Sequence, residues 1–129
     1  MDFLRLNDKI FIVIKPGFDR LSNKIIEEFK QHGFALSNMR PKRLTLNEAK
    51  SLYRVHSKED FYNKLCKYMS SGVSIGVLFQ HNLDVETAFE KLDKIKSKIR
   101  DKYSKNDMEN VIHSSDKFEN MQKECRIYF

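Results

Sequence analysis

The stretch VSIGVLF at residues 73–79 decides the fold prediction, because a nearly continuous apolar segment is typical of a central strand buried on both faces. The stretch KIFIVI at residues 9–14 is β-branched and aromatic, and Pro16-Gly17 follows it as a strand-ending turn would. A more polar segment over residues 34–44 is also predicted to be extended. We therefore predict three strands here, one of them central in its sheet.

Helical periodicity occupies the segments between these strands, where apolar residues recur every three or four positions. Thr45 and Glu48 form a capping box that predicts the start of a short helix. The predicted helices cover residues 22–31, 46–55, 60–69, 85–103 and 116–124. Residues 125–129 are predicted to form a closing edge strand. This order indicates an α+β fold, with helices packed on one face of an antiparallel sheet.

Length and charge restrict the organisation of the chain. Its 129 residues are expected to form one domain, residues 1–129. Twenty-four Lys and Arg against eighteen Asp and Glu leave a net charge of +6. This charge attracts polyphosphates, nucleic acid or anionic lipid without deciding among them, and a solvated lysine-rich surface is the plainer interpretation.

Cysteine usage and hydropathy indicate the compartment. Cys66 and Cys125 are far apart and form no Cys-x-x-Cys pair, so neither a disulfide framework nor a zinc site is predicted. The first residues lack the pattern of a signal peptide, and the longest apolar stretch, residues 10–14, is far too short to cross a bilayer. We therefore expect a reducing, cytoplasmic location and no membrane partner.

The chain lacks the glycine-rich motifs that bind nucleotides through the backbone. Its four glycines form neither Gly-x-x-x-x-Gly-Lys nor Gly-x-Gly-x-x-Gly, and there is no Gly-x-Ser-x-Gly elbow. Any phosphate would therefore be held by side chains.

His113 is the candidate nucleophile, because a neutral imidazole presents a lone pair at physiological pH without a separate base. Glu124 follows eleven residues later, where its carboxylate could fix the imidazole tautomer. The other three histidines, His32, His56 and His81, are interpreted as surface or loop residues.

The stretch NVIHSSD at residues 110–116, followed by Glu124, resembles the C-terminal signature of the nucleoside diphosphate kinase family. Further matches, in order and mostly in spacing, are Lys15-Pro16, Tyr53, Phe61 and Arg100. The resemblance implies a ferredoxin-like, four-stranded antiparallel sheet covered by helices. It also implies transfer of the γ-phosphate of a nucleoside triphosphate to a nucleoside diphosphate, with a phosphohistidine intermediate on His113 that Glu124 orients.

The resemblance implies a role for each matched residue. Lys15, Tyr53 and Arg100 would contact the phosphates, with Lys15 close to the reacting group. Phe61 would stack on the base, and Asn110 would hold the sugar hydroxyl. From the residues alone, a strand-terminal lysine is usually solvated, and both aromatics would serve equally well in a core.

The remaining implied contacts concern the end of the motif and the metal. Ser115 belongs to the implied nucleotide-binding set, although capping of the last helix alone would account for Ser115 and Asp116. The implied cofactor is Mg²⁺, bridged by the phosphates with no direct protein ligand, Asp116 reaching it through water. The implied partners are nucleoside tri- and diphosphates.

The chain departs from the family pattern at the phosphates. Ser114 replaces the glycine that usually follows the histidine, and Asp107 replaces an apolar residue beside the base. The long loop before Arg100 is missing with its phosphate-binding threonine, and Phe89 takes the place of a second arginine. Lysines on the helix that replaces the loop could supply the lost contacts to phosphate; these are Lys94, Lys96, Lys98 and Lys102. The missing loop favours a homodimer or monomer over a higher oligomer.

Three functions follow from these observations. The first is an active nucleoside diphosphate kinase. The second is a catalytically impaired, kinase-like module that binds nucleotide or protein, motivated by Phe89 and the missing loop. A nucleic-acid binder is the weakest, because no Lys/Arg-Gly-Phe-Gly-Phe-like signature is present.

Overall fold

The computed structural model describes residues 6–129, in which β-branched and aromatic stretches form one antiparallel sheet. The strands are β1 (Lys9–Ile14), β2 (Ala35–Arg43), β3 (Val73–Gln80) and β4 (Ile112–Ser114). Their order in the sheet is β2-β3-β1-β4, so the apolar strand β3 lies inside the sheet as predicted. In register, Val13 of β1 pairs with Gly76 of β3 on one side and with His113 of β4 on the other.

Five α-helices within residues 6–129 connect and cover the strands. They are α1 (Ser22–Gln31), α2 (Leu46–Leu52), α3 (Tyr62–Met69), α4 (Val85–Tyr103) and α5 (Phe118–Tyr128). The bounds of β1, α1 and α4 are those predicted from the sequence. The capping box is confirmed, since the Glu48 amide donates to Thr45 Oγ1 (3.1 Å) and the Thr45 amide donates to Glu48 Oε1 (3.0 Å). Helix α2 is shorter than predicted, and a 3-10 turn at Arg54–His56 follows it.

The fourth strand lies elsewhere than predicted. Residues 125–128 belong to α5 rather than to an edge strand, because Met121, Cys125 and Tyr128 bury one helical face. The fourth strand is β4, which at three residues is too short to show a periodicity of its own. The ferredoxin-like sheet implied by the resemblance is therefore confirmed, with a different segment at its edge.

Helices cover both faces of the sheet, not one as predicted. Strand β1 is apolar at successive positions, so alternate side chains bury in opposite directions. One face packs Ile10, Ile12 and Ile14 against α1 and α4. The other packs Phe11 and Val13 against α2, α3 and α5.

The turn after β1 lies against the segment before β4. The Lys15 amide donates to the Val111 carbonyl (2.8 Å), and the Tyr68 hydroxyl donates to the Pro16 carbonyl (2.5 Å). Val111 has φ +80°, a left-handed conformation that a β-branched residue rarely adopts. These contacts place Lys15 beside β4. None of the helices among residues 6–129 combines the length and apolar character that spanning a membrane would require.

Candidate active site

His113 lies in the middle of β4 and is braced from behind by Glu124 of α5. Because His113 pairs with Val13, its side chain projects to the sheet face that α5 covers. Its Nε2–H donates to Glu124 Oε1 at 2.5 Å, and both side chains are buried. The carboxylate is the acceptor, so this bond assigns the proton to Nε2 and the lone pair to Nδ1.

The electrostatic surroundings keep this imidazole neutral. Burial lowers the pKa of His113 below its ordinary value, an effect opposed by the hydrogen bond that His113 donates to the Glu124 carboxylate. Lys15 and Lys96 lower that pKa further. A neutral, oriented imidazole at physiological pH is a competent nucleophile.

Lys15 extends from the end of β1 into the same region. Its ammonium donates to Asn110 Oδ1 (2.7 Å) and to the Met108 carbonyl (3.1 Å). Burial first, and then the charges of Arg100 and Lys96, lower the pKa of Lys15 to about 7. The cation is therefore held by neutral oxygens, and an anion would stabilise its charged form.

Helix α4 brings two more cations to β4. Arg100 Nη2 donates to the Ile112 carbonyl (2.8 Å), and Lys96 Nζ donates to Ser114 Oγ (2.8 Å). The two side chains therefore flank His113 along its own strand. Together with Lys15 they form the cationic cluster, which we define as Lys15, Lys96 and Arg100.

Two aromatic side chains connect this region to a cleft on the surface. The Tyr53 ring meets the His113 ring edge-on, with centroids 4.8 Å apart, and the His56 ring lies between Tyr53 (6.5 Å) and Phe61 (5.6 Å). Phe61 is 44% exposed and, with Leu65, Asp107 and Met108, lines a cleft of about 400 Å³. The cleft offers an apolar slot next to the polar site.

Three buried polar atoms beside His113 have no hydrogen-bond partner among residues 6–129. They are Tyr53 Oη, Arg100 Nε and Ser115 Oγ. Burial raises the pKa of Tyr53 well above its usual value, so its hydroxyl remains a donor. Buried polar groups are normally paired, and each of these three can donate to an oxygen. The site therefore fits an anion with several acceptor oxygens.

The structure brings together most of the residues predicted from the sequence. His113 bonds Glu124, Lys15 bonds Asn110, and Arg100 bonds the carbonyl of Ile112, the residue before His113. Tyr53 contacts the histidine ring, whereas Phe61 stands apart at the cleft.

One sequence interpretation about this region is wrong. Ser115 and Asp116 do not cap α5, because the N-cap residue is Lys117 and makes no side-chain cap. The exposed Asp116 instead accepts from Asn120 Nδ2 (2.8 Å). His81, interpreted as a surface or loop residue, lies in the loop after β3, where it is 4% exposed and its ring packs on Phe34.

Several contributors to the site had no signal in the sequence. The Met108 carbonyl that accepts from Lys15 belongs to a turn built on Asn106, whose Oδ1 accepts from the Met108 and Glu109 amides. The hydrogen bond of Tyr68 to the Lys15-Pro16 turn joins residues far apart in the chain. In the sequence, Tyr68 is marked only by its helical spacing from Phe61 and Leu65, which indicates a shared face of α3 but not this contact.

The side chains at this site suit a metal ion that is coordinated mainly by the phosphates of a bound substrate. Among the described residues, no group of three or more His, Cys, Asp or Glu side chains could hold a metal ion. Glu124 is engaged with His113, and Asp116 is exposed at the margin. Mg²⁺ commonly uses one or two carboxylates with substrate phosphates and water, which these residues permit.

Comparison with known proteins adds independent evidence about this chain. The family profile described as "Nucleoside diphosphate kinase" matches residues 8–129. The nucleoside diphosphate kinase of Thermoplasma volcanium is 31% identical over 130 residues, covering 95% of this chain and 88% of the relative. Nucleoside diphosphate kinase 3 of Danio rerio is 33% identical, covering 95% and 78%. The crystal structure of the Aquifex aeolicus nucleoside diphosphate kinase superposes with a TM-score of 0.83 at 25% identity, covering 95% and 94%.

Proposed function

The chain belongs to the nucleoside diphosphate kinase family and is a phosphotransferase, and from that premise we propose that it works through a phosphohistidine on His113. The observation that carries this proposal is the short bond from His113 Nε2–H to Glu124, at a residue whose neighbours on β4 are contacted by Arg100 and Lys96. That bond leaves Nδ1 as the nucleophilic atom. One domain, residues 1–129, would perform the reaction.

The reaction has two symmetrical halves. Nδ1 of His113 attacks the γ-phosphorus of a nucleoside triphosphate, the bond between that phosphorus and the β–γ bridging oxygen breaks, and nucleoside diphosphate leaves. A second nucleoside diphosphate then attacks the phosphohistidine with its terminal phosphate oxygen and regenerates the neutral imidazole. Glu124 accepts the Nε2–H bond throughout and stabilises the positive charge that the ring gains.

Side chains around His113 supply the positioning and the charge stabilisation that phosphoryl transfer requires. Lys15, Arg100 and the Tyr53 hydroxyl would donate to phosphate oxygens, and Ser115 Oγ would add a fourth donor. Asn110 would hold the sugar hydroxyl. Phe61 would stack on the base in its exposed cleft, a contact that every base allows.

The family uses a divalent cation, and we propose that here it is Mg²⁺. When bound, it neutralises charge on the phosphate groups. Asp116, exposed beside the end of β4, is the carboxylate that would reach it through water.

Formation of the phosphohistidine is tested by incubating the protein with ATP and Mg²⁺ and measuring its intact mass. We expect a gain of one acid-labile phosphoryl group for the wild type and for His32→Ala, a partly buried histidine at the end of α1. We expect none for His113→Ala. A wild type that binds nucleotide but never gains phosphate would refute the mechanism.

A second candidate function is a kinase-like module that binds nucleotide without turnover. Phe89, partly buried against both cores, stands in the place of a phosphate-binding arginine and favours this alternative. Such a module would raise its melting temperature with ADP yet exchange no γ-phosphate between nucleotides.

We also propose that the protein forms a homodimer through β2. This strand is at the edge of the sheet and is exposed along nearly its whole length, including Leu36 (41%) and Met39 (38%). Its uncharged half, residues 35–39, precedes three cations, so antiparallel pairing of two copies over that half keeps like charges apart.

A further inference from the structure

We propose that Lys96 binds the nucleotide phosphates directly and that Ser114 positions it, so that the pair replaces the phosphate contacts of the missing loop. This inference rests on the proposed function, because it assigns Lys96 to the same nucleotide. Lys96 is the residue that contacts substrate, and Ser114 acts through Lys96.

The position of Lys96 on α4 is the first argument. Residues 96 and 100 are one helical turn apart, so Lys96 and Arg100 share a face, as does Phe89. Lys96 Nζ donates to Ser114 Oγ (2.8 Å), and Ser114 follows His113 directly. The ammonium therefore lies on the α4 side of the histidine, opposite the brace that Glu124 provides.

The other lysines considered on this helix are directed elsewhere. Lys98 pairs with Glu28 of α1 (2.6 Å), so it belongs to the opposite side of α4. Lys94 is exposed, and Lys102 is exposed with its ammonium over the Tyr103 ring (5.4 Å). Of the four candidates, Lys96 is the one that reaches β4.

The charge balance around Lys96 calls for an anion. Its side chain is 19% exposed, and its nearest carboxylate, Asp93, is 3.8 Å away with a side chain 67% exposed. An ion pair with such an exposed carboxylate stabilises the lysine charge only slightly. Burial first, and then the charge of Arg100, lower the pKa of Lys96. A half-buried ammonium beside other cations is stabilised best by a group with several negative oxygens, as a polyphosphate is.

The inference also explains two departures from the family pattern at once. Where glycine usually follows the histidine, this chain has Ser114, and a glycine there would offer Lys96 no hydroxyl. Where the family has a loop, this chain has the helix that carries Lys96. The two departures meet in one 2.8 Å hydrogen bond.

The test is the dissociation constant for ADP, measured by calorimetry with Mg²⁺ present. Lys96→Met keeps the length of the side chain and removes its charge, and Lys94→Met is the matched control on the exposed face. We expect Lys96→Met to weaken ADP binding by about 10- to 100-fold, Lys96→Arg to stay near wild type, and Lys94→Met to change little.

The role of Ser114 is tested with Ser114→Gly. We expect a smaller loss of ADP affinity than for Lys96→Met, and no further loss when the two changes are combined, because both act through one ammonium. Should Lys96→Met fail to fold, Lys96→Arg and Ser114→Gly decide: retained affinity in the first with loss in the second supports the inference.

The outcomes separate this inference from the proposed function. If Lys96→Met binds ADP as Lys94→Met does, the inference is overturned, whatever happens at His113. If ADP binding depends on Lys96 but no phosphohistidine forms, Lys96 keeps its role and the phosphotransfer mechanism fails. A wild type that does not bind ADP at all would overturn both.

Discussion

Lys15 is a buried lysine whose ammonium donates to the neutral oxygens of Asn110 and Met108. Burial, reinforced by Arg100 and Lys96, lowers its pKa to about 7, so the group is close to half protonated at neutral pH. A phosphate arriving beside it would raise that pKa, because a nearby negative charge favours the ammonium form. On the proposed function, we therefore expect nucleotide binding to be linked to the protonation of Lys15.

We expect ADP binding at about pH 8.5 to be accompanied by proton uptake. At that pH Lys15 is mostly neutral, and the terminal phosphate of ADP, with a pKa near 6, is already ionised, so the proton gained belongs chiefly to Lys15. Calorimetry in buffers of different ionisation enthalpy counts the protons. Lys15→Met should abolish most of the uptake, whereas the exposed Lys30→Met should preserve it. Equal uptake in all three proteins would contradict the linkage.

Helix α5 packs closely on β3 at Gly76. A Cβ built on Gly76 would lie 2.6 Å from Tyr128 Cγ, which is too close for any neighbour. The Tyr128 hydroxyl also shares a buried hydrogen bond with Ser74 (2.6 Å). Because Glu124 also lies on α5, the contact of Tyr128 with Gly76 helps to set the distance between Glu124 and His113.

We therefore expect Gly76→Ala to lower the free energy of unfolding by about 1–3 kcal/mol, through overpacking against Tyr128. Gly72→Ala is the matched control, because among residues 6–129 its Cβ would meet Pro16 alone, at 3.4 Å. Chemical denaturation followed by circular dichroism measures both. Equal unfolding free energies for the two variants would show that α5 adjusts without cost.

The long, periodic elements were predictable from the sequence, and the shortest was not. β1, α1 and α4 have the predicted bounds because their apolar spacing extends over many residues. β4 has three residues, all buried, and exists only because β1 pairs with it. The last residues look extended when taken alone, but Cys125 and Tyr128 continue the buried face of α5.

The candidate site also contains contacts that the sequence predicts and contacts that it does not. His113 and Glu124 carry a motif, and their bond joins neighbouring parts of the chain. The hydrogen bond between Lys96 and Ser114 joins two residues that lie on different elements and eighteen positions apart in the chain, so no local sequence pattern predicts it. The left-handed Val111 is likewise set by the contact of its carbonyl with the Lys15 amide, which the sequence does not reveal.

At the scale of the whole molecule, the two edges of the sheet differ. β4 is short and carries the site, while β2 is a nine-residue edge. The Met39 amide donates to the side chain of its neighbour Asn38 (2.8 Å). Such an edge is a template for pairing with another strand.

We expect the wild type to be a dimer in solution and Met39→Asp to be a monomer, because the change puts a charged carboxylate from each copy into the uncharged half of β2 that pairs. Size-exclusion chromatography with light scattering measures the mass. Val55→Asp is the control, since Val55 is 54% exposed on the 3-10 turn after α2. A monomeric wild type, or a Met39→Asp variant that remains dimeric, would contradict pairing through β2.

Helix α4 is continuous from Val85 to Tyr103, and this continuity affects how the site would bind a ligand. Its buried face, formed by Ala88, Leu92, Ile95 and Ile99, anchors the helix to the sheet before any nucleotide arrives. Lys96 and Arg100 are thus mounted on a rigid support rather than on a segment that must first become ordered. The entropy lost in arranging them belongs to folding, so we expect nucleotide recognition on this side of the site, on the proposed function, to need no induced fit.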